Sequence, residues 1–223
     1  MLHDLYTPQG EALTGTPWQI YPRPQLKRGS YVNLNGDWEF AVSQSPQLPE
    51  EYPDTIRLPF CPESLLSGVH QHFGEDTLLF YRRSFTLPED FNRGRVLLHF
   101  GAVDYIADVW LDGQYLGGHE GGYTPFTFDV TELTEAGGEY TLTVRAEDRL
   151  DFDQPRGKQS FRPEPFACWY TPVTGIWQSV WLESVPAEYI RKLNIENRDY
   201  GVAISMSRHW RVRCMCRRLA AFR

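Results

Sequence analysis

The segment Glu139-Tyr140-Thr141-Leu142-Thr143-Val144-Arg145-Ala146-Glu147 decides the fold class. Tyr140, Leu142, Val144 and Ala146 alternate with charged or hydroxylated residues. Side chains of a strand point to opposite faces in turn, so this period of two describes a strand buried on one face and wet on the other. Antiparallel sheets accept that arrangement, whereas parallel strands are apolar on both faces. Outward from this segment, strand signals recur at short intervals. Leu34-Asn35-Gly36-Asp37-Trp38-Glu39-Phe40 sets a turn before a Trp/Phe alternation. Leu79, Tyr81, Phe85 and Leu87 share one face of the next strand, interrupted by Arg83, and residues 95–100 and 106–111 supply two more. Asp112-Gly113, which both tolerate positive φ, predicts a hairpin from Leu111 into a short strand at Gln114–Leu116. Residues 176–185 read as a further strand with Trp177 and Trp181 on one face. No window longer than about ten residues carries a 3.6-residue apolar period. Strands without intervening helices predict an all-β fold, an antiparallel sandwich or barrel rather than a βαβ fold.

Composition agrees. Hydrophobic residues make up 41% of the chain and aromatics 14%, enough for a core and far from a disordered composition. The formal charge is −7, but residues 205–223 hold six Arg and no acid, leaving 16 basic and 29 acidic side chains over residues 1–204. An acidic body disfavours polyanions, so no nucleic-acid partner is expected. Cys61, Cys168, Cys214 and Cys216 are not spaced as a disulfide framework. The first residues lack a basic stretch followed by an apolar one, and no apolar run approaches ~18 residues. A cytoplasmic protein without membrane attachment is the expectation.

Residues 1–30, rich in Pro and Gly, read as an extended arm pinned by Trp18 and Tyr21, and residues 31–186 as the sandwich. Residues 187–204 resemble a linker entering the first strand of a further domain. The composition changes abruptly at 205–223, and this basic tail is read as out-of-frame sequence, disordered or poorly packed, rather than a nucleic-acid or membrane tail.

Several segments in order resemble the sugar-binding domain of glycoside hydrolase family 2, the β-galactosidase/β-glucuronidase type. They are residues 34–40, Tyr81-Arg82-Arg83-Ser84-Phe85, residues 98–105 followed by Val109-Trp110-Leu111-Asp112-Gly113, residues 117–131, and Thr174-Gly175-Ile176-Trp177-Gln178-Ser179-Val180-Trp181-Leu182-Glu183. Together they cover roughly residues 18–186. The resemblance implies a jelly-roll, galactose-binding-like sandwich, followed in the family by an immunoglobulin-like domain and a TIM barrel that holds two catalytic glutamates. A barrel needs at least ~200 residues, so the resemblance implies a fragment, inactive by itself, of a retaining enzyme whose full-length members are possible oligomers. Within residues 117–131, the pairs Gly117-Gly118 and Gly121-Gly122 are expected to fold a sharp loop around His119-Glu120.

Retaining glycoside hydrolysis needs two carboxylates about 5–5.5 Å apart. Glu120, Asp104, Asp148, Asp151 and Asp153 are candidates, but none stands in a recognisable catalytic pairing, and no catalytic residue is assigned. His70 and His72 share a strand face and could join His119 around zinc. No Cys-x-x-Cys pair accompanies them, and surface histidines are common, so no metal or cofactor is expected. Asp148, Asp151 and Asp153 lack an EF-hand pattern and read as a solvated loop. Arg83 shares a face with Tyr81 and Phe85 and is expected to be buried against a carboxylate partner.

The long polar segment from Glu147 to Gln159 interrupts two good strands, and loops of this length are usually functional or mobile. It leads into Phe166-Ala167-Cys168-Trp169-Tyr170-Thr171, an aromatic patch suited to the apolar face of a sugar ring. Asp148, Asp153, Arg156, Lys158, Gln159, Trp169 and Tyr170 are the candidate substrate-binding residues, with a carbohydrate, β-galactoside-like, as the expected partner. The family carries a carboxylate six residues before the glycine matching Gly175, and this chain has Trp169 there. That departure leaves two readings of Trp169 and Tyr170, a sugar platform or a domain-interface contact. Three functions stay open: a non-catalytic domain of a glycosidase, an autonomous carbohydrate-binding module, and a structural or oligomerisation domain.

Overall fold

The computed structural model describes residues 2, 6–149, 153–162, 164–198 and 201–208. Asp151 and residues 209–223 of the basic tail lie outside them. In chain order the strands are β1 (Tyr31–Asn33), β2 (Gly36–Ser43), β3 (Asp54–Leu58), β4 (Leu78–Thr86), β5 (Arg95–Phe100), β6 (Val103–Asp104) and β7 (Ile106–Leu111). They continue with β8 (Gln114–Glu120), β9 (Phe126–Asp129), β10 (Glu139–Glu147), β11 (Gly175–Ile176), β12 (Val180–Val185), β13 (Ile190–Arg198) and β14 (Gly201–Arg208). One sheet has the order β3-β2-β4-β10-β7-β8 and a second the order β1-β12-β5-β9. The pairs β11–β6 and β13–β14 stand apart, and every strand pair is antiparallel.

The two large sheets close over one apolar core, forming the expected β-sandwich. Leu142, Val144 and Ala146 of β10 pack with Ala107, Val109 and Leu111 of β7 and with Trp38 and Phe40 of β2. Opposite them lie Val96, Leu98 and Phe100 of β5 and Val180 and Leu182 of β12. Asp112 and Gly113 both take positive φ, which matches the twist of the β7–β8 hairpin. Beneath the loop at residues 44–53, Leu78 and Phe80 form a satellite cluster with Ala41 and Tyr52 on the other side of the six-stranded sheet. Among the described residues no helix is long and apolar enough to cross a membrane.

Four local expectations need correction. Gly117 to Glu120 are not a loop, because β8 runs through them. Gly117 instead packs against the Phe128 ring, where an added Cβ would come within 3.1 Å of it, and the loop begins only at Gly121. The strand expected over residues 176–185 breaks at Trp177–Ser179, and Trp177 turns away to donate from Nε1 to the Gly122 carbonyl at 2.8 Å. Arg83 is half-buried, and its direct partner is not a carboxylate but the backbone carbonyl of Asp37, 2.5 Å from Nη1. Finally, β14 reaches Arg208, so the compositional break at 204/205 falls inside a strand.

The side of β12 and β5 turned away from the core would expose polar and aromatic groups, and the N-terminal arm covers it. Glu183 is fully buried there. Its carboxylate accepts from the Tyr21 hydroxyl at 2.5 Å and from Arg23 Nη2 at 2.5 Å, with Arg28 Nε at 3.3 Å. His99 Nε2 lies 3.1 Å away, and the His99 ring stacks on Trp181 with centroids 4.9 Å apart. Burial opposes ionisation of Glu183. The hydrogen bonds from His99, Tyr21 and Arg23 outweigh it and hold the pKa at about 2. The same burial lowers the His99 pKa, keeping the imidazole neutral between carboxylate and ring. Trp18 is the weaker anchor of the arm, 61% exposed with its ring beside Phe60.

Glu183→Ala leaves Arg23 and Arg28 without their counter-ion in a covered site, and we expect a loss of about 3 kcal/mol, or roughly 10 °C in melting temperature. Because the carboxylate pKa falls from 4.5 to about 2 on folding, this stabilisation is complete above pH ~4.5 and disappears as the pH drops toward 2. Thermal melts of wild type and Glu183→Gln should therefore draw closer together from pH 5 to pH 3. A difference that stays constant over that range means the arm is not held by the ionised carboxylate.

Candidate functional site

At one end of the sandwich the chain leaves β10 at Glu147 and returns at β11. Between them, residues 153–162 and 164–174 form a loop whose two halves fold back on one another. Ser160 N donates to the Tyr170 carbonyl and Tyr170 N to the Lys158 carbonyl, both at 2.8 Å. The turn joining these two short runs closes with Trp169 N on the Phe166 carbonyl, and Ala167 in it takes φ 50°.

Gln159 anchors this loop to the sandwich. Its Nε2 donates to Asp104 Oδ2 at 2.7 Å and to the Tyr123 hydroxyl at 3.0 Å, while its Oε1 accepts from Val173 N at 2.6 Å. Tyr123 donates in turn to the Arg156 carbonyl at 2.8 Å, and its ring meets Trp177 edge-on at 5.9 Å. The amide of Gln159 thus spends both ends on structure. Asp104 sits at the end of β6, pressed against Gly122, where a Cβ would meet its carboxylate at 2.4 Å. Burial raises the Asp104 pKa to about 6, with the neighbouring Asp148 adding to the rise while Gln159 and Arg156 oppose it.

A second buried acid lies on the far side of Thr174. Glu63 Oε1 accepts from the Thr174 hydroxyl at 2.7 Å, and Oε2 lies 3.3 Å from Thr174 N. Burial pushes Glu63 up to about 7, against the hydrogen bonds from Thr174 and Cys61. Burial, with Glu63 close by, also pushes the Cys61 thiol up, so it is held as the unreactive thiol. Gly175 follows with φ 71°, and the Tyr81 hydroxyl sits where its Cβ would be, at 2.1 Å.

The seven candidate residues divide by position. Asp148 is buried, and Arg156, half-buried within the loop, brings its Nη2 to 3.6 Å from Asp148 Oδ2. Lys158 and Tyr170 reach solvent together, the ammonium 5.9 Å from the ring centroid and the ring 65% exposed. Trp169 is half-buried and packs edge-on against Phe161 at 6.0 Å. Asp153 is exposed at the loop's beginning. Of the remaining candidates, Glu120 is exposed at the end of β8, and His119 stacks on Phe126 at 4.3 Å with Nε2 3.0 Å from Thr124 Oγ1. Among the described residues no three His, Cys, Asp or Glu side chains converge as for a metal ion.

Glu63, Thr174 and Trp177 belong to this site, and residue-by-residue reading of chemistry passed over them. A local signal was an acid, Glu63, in the largely apolar run from Leu58 to Leu66.

Residues 65–197 match the family described as glycosyl hydrolase 2 galactose-binding domain-like. Among curated proteins, a β-galactosidase of Thermoanaerobacter pseudethanolicus is 30% identical over 173 residues, covering 72% of this chain and 21% of that protein. A β-glucuronidase of Formosa agariphila is 31% identical over 173 residues, 71% of this chain and 17% of that protein. The chain thus spans about a fifth of the length of these relatives. Among solved structures, a Faecalibacterium prausnitzii β-glucuronidase superposes with a TM-score of 0.59 at 27% identity, over 85% of this chain and 37% of that one. A β-glucuronidase from Ruminococcus gnavus, in complex with uronic isofagomine, has the same fold, with a TM-score of 0.63 at 17% identity over 86% of this chain and 35% of that one. With its sandwich, its strand order and this match over more than half its length, the chain belongs to the glycosyl hydrolase 2 galactose-binding domain-like family.

Proposed function

We propose that this chain serves as a sugar-facing, non-catalytic domain of a retaining family 2 glycosidase of β-galactosidase or β-glucuronidase type, with the hydrolytic carboxylates lying outside its 223 residues. One observation carries this reading. Beneath the loop the carboxylates of Asp104, Asp148 and Glu63 are buried, while the exposed side chains it presents include an aromatic ring with an ammonium over it. Asp104 and Glu63 accept hydrogen bonds from Gln159 and Thr174, and Asp148 lies 3.6 Å from Arg156, partners that favour a bracing role over a hydrolytic one. An exposed tyrosine beside a lysine suits one apolar sugar face and its rim of hydroxyls. The length of the curated relatives supports the same division of labour. A loop platform of this size makes few contacts with one sugar, so its natural role is to complete a pocket built mostly elsewhere.

The whole 223-residue chain is expected to leave p-nitrophenyl β-galactoside and β-glucuronide intact and to show no calorimetric binding of galactose or glucuronate tighter than about 10 mM. Turnover that Asp104→Asn abolishes would overturn the non-catalytic reading. Millimolar binding of either monosaccharide, lost in Tyr170→Ala, would identify an autonomous module instead.

Gln159→Ala removes three hydrogen bonds and should raise the exchange rate of the Val173 and Tyr170 amides by at least about tenfold, at roughly 1 kcal/mol per lost bond, leaving β10 and β5 unaffected. Glu63 and Asp104 have folded pKa values raised to about 7 and about 6 from 4.5 and 3.8. Their contribution to stability is therefore complete at low pH and is lost as the pH rises through those values. Amide exchange in the loop should accelerate, beyond its intrinsic pH dependence, between pH 5 and pH 8. Protection independent of pH over that range would mean the two acids do not hold the loop.

A further inference from the structure

The side of the six-stranded sheet turned away from the core carries a second aromatic pair, unrelated to the loop at residues 153–174. The β7–β8 register shifts between Val109 and Trp110, so that Val109 faces Gly117 but Trp110 faces Tyr115. A bulge of this kind re-aims side chains. Here it brings Tyr115 onto the face that already carries Trp110, while Leu116 turns to the core. The two rings lie 5.4 Å apart at 51°, and Tyr115 is 54% exposed.

The polar groups around the pair are already matched to one another. The Tyr115 hydroxyl donates to Asp108 Oδ1 at 2.7 Å, and Arg145 Nη2 donates to Asp108 Oδ2 at 2.6 Å. The hydrogen bond to Asp108 raises the Tyr115 pKa and keeps the phenol protonated. Along the same row, Trp110 stands opposite Thr143 of β10, and Thr143 opposite Arg82 of β4. Arg82 is paired with Glu39 at 2.7 Å and lies over the Tyr52 ring at 4.0 Å. The strip thus runs ring, ring, hydroxyl, guanidinium, carboxylate, and each of its charges has a partner within the strip.

We propose that Trp110 and Tyr115, flanked by Asp108 and Arg145, form a surface site for a neutral oligosaccharide chain on the face of the six-stranded sheet. Two arguments select this ligand. Because Asp108 with Arg145 and Glu39 with Arg82 cancel, the strip offers no net charge to a nucleic acid, a uronate polymer or a charged peptide. Its apolar part is also an island of two rings bordered by ion pairs, much smaller than the ~800 Å² per partner that a stable protein interface buries. It matches the apolar face of one or two sugar rings, whose hydroxyls can bond to the spare lone pairs of Asp108 and the remaining donors of Arg145. The site neither uses nor adjoins the residues argued to complete a catalytic pocket, and it stands or falls independently of that role.

Affinity electrophoresis of the full chain through gels containing soluble β-1,4-galactan, barley β-glucan or xylan tests the proposal, with polygalacturonate as the charged control. We expect retardation by at least one neutral polymer, none by polygalacturonate, loss of retardation in Trp110→Ala and Tyr115→Ala, and retention in Tyr170→Ala. Tyr115→Phe keeps the ring and should retain most of the retardation; it and Tyr115→Ala serve if Trp110→Ala fails to fold by circular dichroism. Wild-type mobility unchanged by all three neutral polymers overturns the proposal. So does retardation that survives in folded Tyr115→Ala, or equal retardation by polygalacturonate. Sedimentation showing self-association abolished by Tyr115→Ala would assign the face to a second copy of the chain and overturn it as well.

Discussion

A side chain at position 175 would need the space that the Tyr81 hydroxyl occupies. That exclusion fixes how the loop returns to the sandwich. Gly175 can sit on the buried Tyr81 and adopt positive φ, and from there Gly175 and Ile176 pair with Asp104 and Val103. Everything at this end of the molecule follows from that short pairing. Thr174 is delivered to Glu63, Gln159 to Asp104, and Trp177 to the Gly122 carbonyl. A packed core thereby becomes the reference frame for an otherwise irregular segment, since close-packed interiors resist small displacements.

The opposite sheet solves a different problem. β12 is buried along its whole length, and the sequence Val180-Trp181-Leu182-Glu183-Ser184-Val185 places a charged residue in that strand. An isolated carboxylate there would be prohibitively costly. Arg23, Arg28 and Tyr21 arrive on a segment with no regular structure and supply its partners. The arm is thus held by polar matching more than by a continuous apolar contact, at Glu183 and again where Asn33 and Asn35 donate to the Trp18 carbonyl, which fits the exposure of Trp18. A network of this type favours one position of the arm over others more than it adds net stability, because desolvation offsets much of the attraction.

The sandwich was legible because its signal is periodic and repeated. The strand over residues 139–147 and the Asp112-Gly113 turn both form, although the face of that strand expected to be wet is partly covered and Thr143 is buried. What misled were residues with two physical uses. Gly117 and Gly118 suggested a loop, yet glycine also serves where a ring or a neighbouring backbone comes close, and the Phe128 ring makes β8 such a place. Trp177 fits a strand by composition, but its indole N–H needs an acceptor, and the acceptor it finds is across the end of the sandwich. The loop's composition marked it as a site without sorting its members. Asp148, Arg156 and Gln159 share the chemistry of sugar-binding side chains, and only the partners that folding brings to Gln159 show that its amide is committed to Asp104, Tyr123 and Val173. Glu63 meets Thr174 across 111 positions of sequence, a separation that no local pattern encodes.

Trp169 sharpens what the loop can do. Family resemblance places a carboxylate at this spacing from the glycine, where it would contact substrate directly. Here an indole occupies the position and packs against Phe161, with Arg162 over the adjoining Phe166 ring at 4.5 Å. A carboxylate discriminates between hydroxyl patterns, because a missing or misdirected partner leaves a desolvated charge. An aromatic cluster discriminates by shape and tolerates changes in hydroxyl configuration. On the proposed reading, the exchange would move the chemical selection of the sugar away from this domain and leave the loop to shape the mouth of a pocket built mostly elsewhere.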